Sequence, residues 1–153
     1  MNTDERKADS FILFELAGTT YGLRSSDVQQ LEMVEHITPV PNADSTLEGV
    51  VFSRGQIIPA ISLRVRFGLE KIPYDLRSRL VVVKVDDRSI GLIVDSAREF
   101  KNIPEELMVP PPDGLAATSG HYLNAIATVG DNTILLLDLQ ELVKTEIASA
   151  RVE

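Results

Sequence analysis

The hydrophobic positions of this chain fall in short runs separated by turn residues. Residues 10–16 (SFILFEL) set Phe11 and Leu13 against Ile12 and Phe14, the two-residue period of a strand. Ala17-Gly18-Thr19-Thr20 turns the chain, and Tyr21-Gly22-Leu23-Arg24-Ser25 continues a hairpin. Residues 25–34 (SSDVQQLEMV) fit no single period; Ser26 predicts a short capped helical turn carrying Val28 and Leu31. Residues 50–53 and 57–63 form the next pair around Arg54-Gly55, and Pro59 inside the second run predicts an edge strand or a bulge. Two more hairpins follow, 79–85 with 89–94 around Asp86-Asp87-Arg88, and 122–129 with 133–139 around Gly130-Asp131-Asn132. Many short strands with turn signals between them point to a sandwich or a barrel.

An internal repeat sharpens this. Residues 14–23 (FELAGTTYGL) line up with 83–92 (VKVDDRSIGL) at an offset of 69, and 47–63 line up with 123–139 at an offset of 76. The offsets differ by 7, so the second half carries an insertion, for which the loop 110–120 (PPPDGLAATSG) is the natural place. Two similar halves of about five short strands each predict a mainly β fold of two small barrels. Asp138 and Glu141 then form a capping-box-like pair, in which the Asp carboxylate accepts from a free backbone N–H and Glu141 reaches back. Leu139, Leu142, Val143, Ile147 and Ala150 recur at helical spacing, which predicts a short C-terminal helix docked on the barrels.

Composition narrows the function. The net charge is -8 and no Lys/Arg cluster stands out, which weighs against nucleic acid, whose binding is driven by neutralising phosphates. The densest basic stretches, Arg64-Val65-Arg66 and Arg77-Ser78-Arg79, read as a solvated rim. There is no cysteine, hence no disulfide, thiolate zinc site or cysteine nucleophile, and His36 and His121 lack ligand spacing. No nucleophile-elbow, phosphate-loop or dinucleotide signature occurs. Asp86-Asp87 and Asp131-Asn132 are turn pairs, and Glu105-Glu106 suits the start of a helix. No catalytic residue, metal or cofactor is expected. No run is long enough to span a membrane, and the polar start MNTDERKADS lacks a signal peptide's apolar region, so the expected location is the cytoplasm. What remains is a binding module acting through its surfaces.

Residues 11–34, 39–69, 91–100 and 122–143 together resemble the CheW family of bacterial chemotaxis adaptors. The resemblance runs in order over about 10–143, and its most specific pieces are Pro41-Asn42-Ala43, Gly49-Val50, Arg54-Gly55, Ile58-Pro59 and the LRVRFG that follows. It implies two five-stranded barrels packed side by side, within one domain over 10–145, flanked by flexible or helical tails at 1–9 and 146–153. It also implies that the chain exchanges barrels near 65–79. By the same resemblance the protein is a scaffold without catalytic activity. One barrel would meet a similar barrel in the regulatory domain of a CheA-type histidine kinase. Helices of a methyl-accepting chemoreceptor's cytoplasmic tip would lie in an apolar groove between the barrels, recruiting the protein to membrane-bound receptor arrays.

The chain departs from the family at defined places. The family usually reads Asn-Leu-Arg-Gly where this chain has Phe52-Ser53-Arg54-Gly55. It often has Val-Gln-Glu where this chain has Val28-Gln29-Gln30, and its Asp-Leu-Arg becomes Ser62-Leu63-Arg64. The expected partner-binding residues are Val28, Gln30, Leu31, Gly49, Phe52 and Arg54. Val28 and Leu31, with Phe52 behind them, are the groove candidates; Arg54 is expected to brace the loop beside the groove or to pair with an acidic group on a partner. The rival reading is a small barrel that binds nucleic acid or a small ligand. It would need a basic, aromatic-rich face, and aromatics make up only 5% of the chain.

Overall fold

The computed structural model describes residues 8–113 and 122–144; His121, residues 114–120, Ile147 and Ala150 lie outside them. In chain order the elements are β1 (Ala8–Leu16), β2 (Thr19–Arg24), β3 (Val28–Met33), β4 (Leu47–Ser53), β5 (Gln56–Ser62), α1 (Leu63–Arg66), β6 (Arg79–Val85), β7 (Arg88–Val94), β8 (Ser96–Pro104), β9 (Met108–Val109), β10 (Leu123–Val129), β11 (Asn132–Leu137) and α2 (Leu139–Leu142). The strands form two sheets, ordered β8-β1-β2-β11-β10-β9 and β3-β6-β7-β5-β4. Among the described residues no helix is long and apolar enough to cross a membrane.

Each sheet closes through a bent segment. In the first barrel β8 and β9 are parted only by the 3-10 turn Glu105–Leu107, so one stretch of chain pairs with β1 at one end of the sheet and with β10 at the other. In the second barrel the chain leaving β3 returns at Thr38, which exchanges two 2.9 Å backbone hydrogen bonds with Val50 of β4. With β8 and β9 counted as one bent strand, each barrel has five strands.

The two halves of the sequence do not map one to each barrel. Hairpin β1-β2 of the first half sits with β8 to β11, while hairpin β6-β7 of the second half sits with β3 to β5. Parallel pairing joins each borrowed hairpin to its host, Gly22 opposite Leu136 in one barrel and Gly91 opposite Ala60 in the other. These registers are equivalent under the two sequence offsets. Residues 65–79, expected to cross between barrels, instead link β5 to β6 within the second barrel. The chain changes barrel at Ser25–Asp27 and at Asp95. A short connector suffices there because the barrels lie side by side. The long 67–78 loop is needed because β7 separates β5 from β6, and it is tied to β4 by Lys71 and Glu48 at 2.8 Å.

Two local expectations are corrected. Strand β5 is internal, lying between β4 and β7, and the bulge of that hairpin falls at 47–49 in β4 rather than at Pro59. Pro59 opposes Val50, which counting from the two-residue turn is a non-hydrogen-bonded pair, and the ladder to β7 begins only at Ala60. The missing N–H therefore removes no ladder bond. Ser25–Asp27 is a 3-10 turn without a side-chain cap, and Val28 already begins β3. A bulge between Val28 and Gln30 shifts the side-chain parity, so Val28 opposite Val83 and Leu31 opposite Val81 share a face although they are three apart.

The core has three parts. Phe11, Leu13, Ile103, Ala127, Ile134 and Leu136 fill the first barrel, and Val51, Ile58, Ala60, Leu80, Val82 and Ile93 fill the second. The largest cluster lies between them, with Ile12, Phe14 and Leu16 from β1 meeting Val81, Val83 and Val85 from β6 and Leu139, Leu142 and Val143 from the chain's end. Strands β1 and β6 thus bury both faces, which is why their sequences are apolar at consecutive positions. Helix α2 is one turn long; Asp138 accepts from the Glu141 N–H at 3.3 Å, and the Glu141 carboxylate meets Lys144 at 3.3 Å.

The basic stretch after β5 is structural rather than a solvated rim. Arg64 grips Asp95 with two bonds, Nε to Oδ1 at 2.8 Å and Nη2 to Oδ2 at 2.7 Å, and gives a third to the Glu70 carbonyl. Asp95 also accepts from the Ala17 N–H at 2.8 Å, so one carboxylate at a crossing point ties α1 to the β1-β2 turn of the other barrel. Burial opposes ionisation of Asp95, but the hydrogen bonds from Arg64 and Ala17 and the charge of Arg64 hold its carboxyl below the ordinary aspartate range. Arg66 donates to the Leu142 carbonyl and, at 3.1 Å, to the Thr46 hydroxyl, joining α1 to α2.

Candidate partner-binding surfaces

The first surface is the seam between the barrels. Strand β6 of the second barrel lies against β8 of the first, and β3 is the next strand beyond β6. Val28 and Leu31 of β3 are half-buried on the central cluster, as is Ala97 of β8, the repeat counterpart of Val28. The counterpart of Leu31 is Phe100. It pairs with Ile12, whose side chain belongs to the central cluster, yet Phe100 is 58% exposed. A large aromatic that faces the seam and is not covered by it is a candidate for a partner contact. The sequence reading missed it, although extending the offset of 69 beyond residue 23 carries Leu31 onto Phe100.

The second surface is the outer face of the β4-β5 hairpin. Phe52 and Ile57 oppose each other next to the turn and are 76% and 69% exposed, while their neighbours Val51 and Ile58 point inward. Phe52 stands apart from Val28 and Leu31, because alternation along β4 turns it away from the interior. It borders a groove of about 250 Å3 whose lining includes Glu32, Met33, Glu35, His36 and Ile37. Ile57 was legible too: in a hairpin with a two-residue loop it must face Phe52. At the turn, Arg54 and Gly55 both have positive φ (51° and 81°), as a type I′ turn requires. Arg54 is exposed, and the described residues give it no partner.

Gly49 is buried and Gln30 half-buried. Gln30 donates to the Glu32 carboxylate and, at 3.0 Å, to the Ser53 hydroxyl, which in turn donates to Glu32. Two departures from the family pattern, Gln30 and Ser53, thus meet in one polar network at the mouth of the second barrel. Gly49 is buried, with φ of 152°, and a Cβ there would stand 2.2 Å from the Thr38 carbonyl oxygen. It allows the close approach that seals the barrel. Ser62, the third departure, caps α1 by accepting from the Val65 N–H at 3.3 Å, as Asp138 does for α2.

The CheW-like domain model matches residues 10–146. The chain is 27% identical over 142 residues to the chemotaxis protein CheW of Klebsiella aerogenes, covering 93% of this chain and 86% of that one. It is 26% identical over 141 residues to the protein FrzA of Myxococcus xanthus, covering 92% and 88%. Among solved structures, the scaffolding protein TtCheW of Thermoanaerobacter tengcongensis superposes with a TM-score of 0.83 at 32% identity, over 90% of this chain and 93% of that one. Two five-stranded barrels with exchanged hairpins, a seam edged by half-buried apolar side chains and the exposed Phe100, and a family match across nearly the whole chain agree: this chain belongs to the CheW-like domain family.

Proposed function

We propose that this protein is a non-catalytic scaffold that couples a CheA-type histidine kinase to chemoreceptor tips, in chemotaxis or a related signalling pathway. The observation that carries this reading is the presence of two separate apolar surfaces, since a coupling protein must hold two partners at once. The seam, with Val28, Leu31 and Phe100 along it, suits the apolar face of an amphipathic receptor helix. The β4-β5 face, with Phe52, Ile57 and the unpartnered Arg54, suits a barrel of the kinase's regulatory domain. The protein would act in the cytoplasm, recruited to receptor arrays through these contacts.

The test is a pull-down with the kinase regulatory domain and a receptor cytoplasmic fragment from the same genome. Wild type should retain both. Phe100→Ser should lose the receptor fragment and keep the kinase domain, and Phe52→Ser should do the reverse, with melting temperatures near wild type because both side chains are mostly exposed. A wild-type protein that retains neither partner would sink the reading.

A further inference from the structure

The internal repeat supplies a built-in control, because positions on the aligned strands of one barrel have counterparts in the other. The outward pair Phe52 and Ile57 corresponds to Thr128 and Thr133, which oppose each other in the same way across β10 and β11. Glu32, opposite Leu80, corresponds to Lys101, opposite Phe11. Met33, 45% exposed, corresponds to Asn102. One barrel end therefore sets three exposed apolar side chains beside a carboxylate, where its counterpart sets two threonines and an asparagine beside an ammonium. The fold is compatible with either pattern, so folding alone does not account for the first.

The carboxylate is also held in place. Glu32 accepts from Gln30 and from Ser53, both neutral, and lines the groove beside Met33 and Phe52. Glu35 and His36 line it as well, and no Lys or Arg does. The counterpart of Ser53 is Val129, so the hydroxyl that fixes Glu32 is specific to this end. A carboxylate oriented by neutral donors beside the apolar side chains of Met33 and Phe52, in a groove that no Lys or Arg lines, is arranged to meet a cation from outside. We propose that Glu32 makes this groove selective for a partner that seats an apolar side chain between Met33 and Phe52 and brings a Lys or Arg beside it. This rests on the reading above, in which that partner is the kinase's regulatory barrel; it adds that the barrel must present a cation at the contact.

The experiment is calorimetric titration of the full chain with the kinase regulatory domain of the same genome, at low and at physiological salt. The variants are Glu32→Gln, which keeps the side chain's shape and loses its charge, Glu32→Lys, which installs the other barrel's residue, and Phe52→Ser. Thermal melts accompany each, and Glu32→Gln decides if the Lys variant unfolds. The expected result is at least tenfold weaker binding for Glu32→Gln, a larger loss for Glu32→Lys, and a shallower salt dependence for both. If Phe52→Ser loses binding while Glu32→Gln binds like wild type with the same salt dependence, charge selectivity is overturned and the kinase reading stands. If Phe52→Ser also binds like wild type, this face is not the kinase site and both fall.

Discussion

Single residues here divide into those that seal the fold and those proposed to meet partners. Gly49 belongs to the first group. An added Cβ would meet backbone at Thr38 rather than a movable side chain, and the φ of 152° suits only glycine. Gly49→Ala should cost about 3 kcal/mol in urea unfolding, since strain and a broken closure combine. Arg54 belongs to the second group. Its side chain is exposed and has no partner among the described residues, so its removal disturbs no contact seen there. Arg54→Glu should leave the melting temperature nearly unchanged and weaken assembly with kinase and receptor about tenfold, or about 1.4 kcal/mol, with Arg54→Lys recovering only part of the loss. A quantitative pull-down in which the Glu variant assembles normally would leave Arg54 a solvated turn residue.

At the scale of elements, the repeat explains why a departure from the family pattern can be silent. Ser62 stands where the family has Asp, and the second half keeps Asp at the equivalent Asp138; both cap a one-turn helix through a 3.3 Å bond to a backbone N–H. Ser and Asp are near-equal caps and Ala is a poor one. Ser62→Asp should be neutral in thermal unfolding, while Ser62→Ala should lose about 1 kcal/mol. The strand elements follow the same logic. The bulge in β3 puts Val28 and Leu31 on the seam, whereas regular alternation in β4 puts Phe52 outside it. The spacing of Val28 and Leu31 imitates a helix, but a strand with one extra residue gives the same spacing on one face.

For the whole molecule, the hairpin exchange makes the two barrels depend on each other, because neither is complete without strands from the other half. Both should unfold in one transition. Asp95 is the link to probe, since its side chain is 18% exposed and its partner Arg64 only 15%. Its folded carboxyl is held below the ordinary value near 3.8, so its contribution is present above that range and is lost as pH falls through the lower folded value. Asp95→Asn should therefore be less stable than wild type at pH 6 by about 3 kcal/mol, the cost of leaving a partly buried guanidinium without its counter-charge. The gap should narrow steadily below about pH 4. A gap unchanged between pH 6 and pH 2 would show that Asp95 stabilises by packing and neutral hydrogen bonds alone.

The sequence by itself determined the four hairpins, their turns and the repeat, because each is written in local patterns: alternation, turn residues, and two segments that repeat at offsets of 69 and 76; it did not show β3, β8 or β9. The same local pattern placed Arg54 at the turn between β4 and β5. The tertiary structure alone decided which hairpin enters which barrel, because β2 to β11 and β5 to β7 pair residues far apart and equivalent halves offer equivalent edges. It also decided which arginines face solvent. Arg54 and Arg64 look alike in sequence, yet Arg64 is consumed by a carboxylate 31 residues away, while Arg54 is exposed and has no partner among the described residues. Long-range pairing leaves no local trace, so the contacts that hold the barrels together, and by elimination the surfaces left for partners, appear only once the chain is folded.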